Sequence, residues 1–381
     1  MMERVIALTP ALQRSDWGTP EGIPQLLGFA ADGGPYAEAW WGAHPLVPSG
    51  TEEGPLDAVI ARDLVGALGA EVADSFGRLP YLLKVLSIAR PLSIQVHPTA
   101  VIARDGFAAE EAQGIAYDDR ARTFKDASPK PELLVAMTPM EVLVGLRPES
   151  DLRRDLALLD SAGAQALIEA LDGGGLAAYV TAALDGGHLD AVTALASLPE
   201  GTEGSLGAAR LAAQTYPQDP GVLMVLAMNA VSLTPGEAVF TPAGIVHCYL
   251  GGMGIEIMAN SDNVVRAGLT SKPINTGLLR TLARLEHTAP GHPEIVTQGA
   301  VRHFRTEADE FSLDLVEGGA AVVSRGPRIV LPLGSDCEVV TTAERRVVPK
   351  GHAVFVRASS GPVTVSSEGL TAIASVPPAR R

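Results

Sequence analysis

The sequence predicts a mainly β protein, a barrel or sandwich of strands interrupted by a helical insertion and followed by a second all-β unit. Three observations carry that expectation. Short aliphatic and β-branched runs punctuated by Pro and Gly recur from residue 1 to about 147, among them 85–88, 92–96 and 132–135. Residues from about 148 to 216 turn to Ala and Leu, with Leu152, Leu156 and Leu159 at helical spacing and three consecutive glycines at 173–175 as a break. From about residue 290 onward FSLDLVEG, RIVLPL, CEVVTT and VTVSS alternate as half-buried strands do, with no helix of normal length among them.

Between the insertion and the tail, GVLMVLAMNAVSL from Gly221 reads as a buried strand run. The turn Thr234, Pro235, Gly236 closes it before the β segment AVFTPAG. GEAVFTPAG from Gly236 echoes GHAVFVRAS from Gly351 with Ala-Val-Phe in register, the mark of a duplicated unit. At the same offset His247 corresponds to Pro362, so the second unit lacks that histidine and reads as structural. The expected units are 1–147 with 217–289, a helical insertion at 148–216, and a C-terminal β unit at 290–381.

At 381 residues, 46% of them hydrophobic and 19% charged, the chain has enough apolar material for two or three compact units. Its formal charge of −15 opposes binding to a nucleic-acid backbone, and an anionic substrate needs a local convergence of basic side chains to overcome that field. The two cysteines, Cys248 and Cys337, form neither a CxxC motif nor a disulfide framework, which fits a reducing cytoplasm. The opening MMERVIALTPALQ does not read as a secretory leader, and no apolar stretch approaches the length of about 18 residues that spans a bilayer. Neither a membrane nor nucleic acid is therefore an expected partner.

Chemistry gathers in three segments. In LSIQVHP, Gln95 and His97 are two apart in a strand-like run, so their side chains leave the same face. In SPKPELLV the same spacing puts Lys130 and Glu132 together, with Pro131 biasing Lys130 to an extended backbone. In TPAGIVHCYLGG, His247 follows a Pro-x-Gly turn and shares a face with Tyr249. Two imidazoles, a carboxylate and an amide oxygen make a mixed nitrogen and oxygen set that suits zinc and tolerates manganese or cobalt. Taken singly, each of these residues is more often a satisfied or exposed polar group than a ligand, and spacing alone does not join segments so far apart.

The pattern from Gly236 to His247, G-x5-P-x-G-x2-H, resembles the second metal-binding motif of cupin barrels, with Gly251 where an Asn often closes it. LPYLLKVLSIARPLSIQVHP, KPELLVAMTP, AGIVHCYLGGMGIEIMANSDNVVRAGLTSKPIN and the early AEAWWGAHPLVPSG resemble the type I mannose-6-phosphate isomerases over nearly the whole chain. The resemblance implies a cupin-type β barrel or jelly roll with an inserted helical domain and a second, barrel-like C-terminal domain. It also implies one zinc per chain, held by Gln95, His97, Glu132 and His247, and an active-site arginine at Arg266. Where the family commonly has a His directly before K-P-E, this chain has Pro129, so a proton relay through that position cannot operate.

The implied reaction is the reversible isomerisation of mannose 6-phosphate to fructose 6-phosphate, with a proton moved between C2 and C1 through a cis-enediol. A divalent ion stabilises the developing oxyanion, Arg266 adds a second positive group, and Lys84, Ser93, Lys130, Tyr249 and Lys272 are the candidates for binding sugar and phosphate. Glu256, Lys272, Lys130 or a metal-bound water could each serve as the base, and Glu256 could equally orient His247 or a substrate hydroxyl. Two other readings are another sugar-phosphate isomerisation, for instance on glucose 6-phosphate, and a metal-bearing sugar binder without catalysis. A monomer or a small homo-oligomer is expected.

Overall fold

A computed structural model describes residues 4–119, 122–272 and 274–378; the outer ends of the expected first and last units lie outside these residues. The architecture is mixed α/β. Helices at Glu149–Leu156, Ala162–Leu184, Leu189–Ala196 and Gly204–Thr215 fill the middle of the chain. The second of these has the length and apolar character of a membrane span, but it is broken at Gly174 and Gly175 (φ 64°). Leu167, Leu171, Leu176 and Tyr179 on its two halves are buried in a core shared with the neighbouring helices.

The largest sheet has ten strands. Its main path runs Met228–Leu233, Met140–Leu146, His247–Ala259, Tyr81–Ile88, Glu38–Gly42 and Ala11–Gln13, with Ile94–Val96, Val265–Gly268, Glu132–Ala136 and Ala238–Thr241 branching from it. His247–Ala259 is the pivot. Its first residues pair with Met140–Leu146 and Ile94–Val96, the register shifts between Tyr249 and Gly251, and its later residues pair with Tyr81–Ile88 and Glu132–Ala136. Gly252 takes φ 101° at the bend, a conformation a side chain would resist. The two halves fold toward each other over Leu86, Leu134, Val142, Val144 and Tyr249.

Among the described residues no sheet closes on itself: Ala11–Gln13 and Met228–Leu233 end the path as edges. This overturns the expected mainly β, cupin-type barrel or jelly roll, and with it the cupin assignment. The barrel-like C-terminal unit fails likewise, because that region stacks an open seven-stranded sheet on a four-stranded one. Alternation reports which face of a strand is buried; closure depends on pairing between distant strands, which alternation does not encode. One face of the seven-stranded sheet (Val316, Val330, Val354, Ile373) meets the small sheet, and the other (Leu315, Ile329, Phe355, Ala374) meets the large one through Val85, Leu133 and Ile257. The strand Val5–Leu8 belongs to this sheet, paired with Ala353–Val356, although it lies at the start of the chain. The two echoed segments, Ala238–Thr241 and Ala353–Val356, are both strands, each on a different sheet.

Two local expectations also change. Helices at Gly22–Leu27, Leu56–Ala61, Leu64–Leu68, Ala70–Phe76 and Ala100–Ala112 lie within the region read as β. The run from Gly221 starts as a helix, Gly221–Ala227, and becomes a strand only at Met228. Every residue of that helix is buried, and a fully buried run carries no periodicity to separate helix from strand. Its first residue packs on the backbone of the strand Val265–Gly268: a Cβ on Gly221 would lie 2.4 Å from the Gly268 Cα. Gly221→Ala should therefore lower stability by about 1–3 kcal/mol through overpacking. An unchanged denaturation midpoint would show that the backbones do not approach this closely.

Candidate active site

Strand pairing brings distant ligands into one row. His247, the first residue of its strand, lies opposite Gln95, and Arg266 lies opposite Gln95 from the other side. His97 follows two residues after Gln95, just beyond the strand Ile94–Val96. Glu132 opens the strand Glu132–Ala136, in register with Met258. His97 Nε2 stands 3.2 Å from one Glu132 oxygen and His247 Nε2 stands 3.0 Å from the other. One ligand atom from each of the three residues falls within 4.8 Å of the others, and all three side chains are buried.

The outer nitrogens fix the chemistry. His97 Nδ1 is 2.7 Å from the Asn263 carbonyl and His247 Nδ1 is 3.1 Å from the Ile245 carbonyl, so each ring donates its Nδ1 proton and turns an Nε2 lone pair inward. Those lone pairs face carboxylate oxygens. Although His97 Nε2 is close to Glu132, it is buried with no hydrogen-bond partner, because neither atom has a proton to give. Acceptors that converge on one point in this way need a cation between them, and two imidazoles with a carboxylate suit zinc. Burial, then the charge of Lys130, pushes His97 down to about 4, which keeps the ring a ligand at neutral pH. Burial pulls Glu132 upward, but Lys130 and the imidazoles outweigh it and hold the carboxyl well below its ordinary value.

The cavity beside this cluster encloses about 190 Å³ and is lined by Lys84, Ser93, Gln95, Lys130, Glu132, His247, Tyr249, Glu256 and Arg266. Lys84, in register with Glu256, carries two carboxylates, Glu38 at 3.2 Å and Glu256 at 3.1 Å, and its ammonium sits 4.7 Å from the Trp40 ring centre. Those carboxylates raise Lys84 against the opposing effect of burial. Burial raises Glu256, with Lys84 opposing; one of its oxygens accepts from the Tyr249 hydroxyl at 3.2 Å. The Lys130 ammonium is 3.1 Å from Glu132. Arg266 differs from both lysines. Among the described residues no carboxylate pairs with it, and burial alone lowers its pKa. Lys272 lies on an exposed turn outside the cavity lining, near enough for Arg266 to push its pKa down.

Glu38, Trp40 and Asp262 also line the cavity and were missed at the level of sequence. A signal existed, since Trp40 lies in AEAWWGAHP and Asp262 in NSDN, beside residues already singled out. Pro129 leaves no titratable group directly before Lys130, which is bracketed instead by two prolines.

Residues 5–149 match the family described as phosphomannose isomerase type I, catalytic domain. The chain is 34% identical over 384 aligned residues to the mannose-6-phosphate isomerase of Escherichia coli K12, covering 95% of this chain and 97% of that one. Identity to the human mannose-6-phosphate isomerase is 31% over 315 residues, with 72% of each chain covered. A zinc-bound mannose 6-phosphate isomerase superposes with a TM-score of 0.88 at 31% identity, over 98% of this chain and 100% of that one. The Salmonella typhimurium mannose 6-phosphate isomerase, bound to substrate (f6p) and zinc, gives 0.87 at the same identity and coverage.

Two outcomes follow from the cluster. Glu132→Gln keeps the shape but removes the anion between the imidazoles, so zinc content by elemental analysis should fall well below one per chain; full occupancy would refute the ligand set. The depressed His97 favours folding fully above its unfolded value of 6.5, and that contribution drains away as pH falls toward about 4. The Tm of metal-free protein should drop across this window, and a flat Tm there would show that His97 is not buried as a neutral ring.

Proposed function

Because the chain belongs to the type I mannose-6-phosphate isomerase family, we propose that it catalyses the reversible conversion of mannose 6-phosphate to fructose 6-phosphate with one zinc ion. The observation that carries the reading is the convergence of His97, Glu132 and His247 within 4.8 Å, on the cavity that is also lined by Arg266, which no carboxylate pairs with among the described residues. Gln95, directly opposite His247, is the fourth ligand of this proposal. Zinc bound there supplies Lewis acidity to the sugar oxygens at the reacting carbons.

The protein's own groups divide the remaining work. Lys84 and Lys130 already neutralise carboxylates, so neither ammonium is free for a phosphate. Phosphate binding falls to Lys272 and Ser93, while Arg266, one strand from Gln95, faces the charge that develops on the enediol oxygens. Glu256 is the proposed carrier of the proton between C2 and C1. Burial raises its pKa, and Lys84 and Tyr249 hold one oxygen each, so the carboxylate is oriented before substrate arrives. Two buried free thiols, Cys248 and Cys337, accord with a cytoplasmic location.

Purified protein should convert mannose 6-phosphate to fructose 6-phosphate, lose that activity to a chelator and regain it with zinc; a metal-loaded protein without turnover would refute the reading. Arg266→Ala should lower kcat by about 100-fold or more with little change in KM, whereas Lys272→Ala should raise KM and spare kcat. Equal effects on KM in the two variants would overturn the division between them.

A further inference from the structure

His44 and Tyr117 belong to no role described so far, yet both reach the cavity through the same carboxylate. Asp262 lines the cavity, and its two oxygens are held separately: Oδ1 is 3.0 Å from His44 Nε2, and Oδ2 accepts from the Tyr117 hydroxyl at 3.2 Å. The backbone N–H groups of Leu46 and Val47 both donate to His44 Nδ1, at 3.3 Å each, so the ring proton sits on Nε2 and is given to Asp262. The ring is 2% exposed and lies 5.1 Å from that of Trp40, which fixes its plane. Tyr117 comes from the segment after the helix Ala100–Ala112, and Asn263 ties that segment down with bonds to the Lys125 N–H and the Asp126 and Ser128 carbonyls.

We propose that His44 and Tyr117 are positioning residues, which together orient the Asp262 carboxylate so that its remaining lone pairs accept from the sugar hydroxyls in the cavity. One donor per oxygen removes rotation about the carboxyl bond and leaves one acceptor direction per oxygen free. The proposal rests on the isomerase reading, and it gives a role to a histidine outside the metal cluster that is buried against two residues of the cavity lining, Trp40 and Asp262.

Turnover of mannose 6-phosphate tests it with His44→Ala, His44→Gln, Asp262→Asn and the double variant His44→Ala/Asp262→Asn, with zinc content measured throughout. His44→Ala should lower kcat by about tenfold or more with zinc retained, and His44→Gln, which keeps a donor near the Nε2 position, should restore most of it. The double variant should be no worse than Asp262→Asn alone, because His44 acts only through that carboxylate. Losses that multiply in the double variant, no rescue by Gln, or a loss that tracks zinc content would each overturn the proposal. Proton NMR separates this from failure of the isomerase reading: an exchange-protected His44 Nε2–H resonance that moves in Asp262→Asn is expected even if wild-type protein turns nothing over. Its absence would remove the hydrogen bond on which the proposal stands.

Discussion

The strand His247–Ala259 has more neighbours than a flat ladder can give it, and the bend at Gly251 and Gly252 is how it satisfies them. Before the bend its backbone groups pair with Met140–Leu146 and Ile94–Val96; after it they pair with Tyr81–Ile88 and Glu132–Ala136. The bend therefore turns a one-dimensional spacing into a three-dimensional site. His247 and Tyr249 project from one limb and Glu256 from the other, and the Tyr249 hydroxyl meets the Glu256 carboxylate across the angle. Glu132 and Lys84 are delivered by the strands that flank the second limb, Gln95 by one beside the first, and Arg266 by the strand beyond that one.

The side chains that line the cavity include four carboxylates and three cations, so without a metal the lining shares the sign of the whole molecule. Glu38, Glu132, Glu256 and Asp262 all line the cavity, and two lysines pair with the first three of them, Lys84 with Glu38 and Glu256 and Lys130 with Glu132. Arg266 is the exception, half-buried and, among the described residues, without a carboxylate partner, an arrangement that an incoming anion would complete. Arg266, with a divalent ion on the His97, Glu132 and His247 cluster, would let a chain with a formal charge of −15 receive a sugar phosphate, because the attraction is local while the repulsion is spread and screened.

Sequence carried the site further than it carried the fold. The two-residue spacings of Gln95 and His97, and of Lys130 and Glu132, bring each pair to the same site although His97 and Lys130 lie just outside the strands, and His247 follows a turn whose Gly244 takes φ 85°. Such two-residue offsets are legible because a strand's geometry is fixed. Sheet closure was not legible, since it depends on whether edge strands meet, and the helix Gly221–Ala227 was not, since complete burial erases periodicity. Lys84 is legible in the sequence as a candidate cation, while the Glu38 and Glu256 carboxylates beside it are visible only in the fold. His44 and Asp262 are 218 positions apart, a separation that no local pattern bridges.

The placement of Val5–Leu8 has a consequence for biosynthesis. The strand is made well before its partner Ala353–Val356, with most of the sequence lying between them. Until then its apolar faces, Val5 on one side and Ile6 and Leu8 on the other, have no sheet to enter. The seven-stranded sheet is completed only once that partner has been made, through contacts of very high sequence separation, a slow class of folding event. A chain cut short before Ala353 would leave Val5–Leu8 without its sheet and its apolar side chains uncovered.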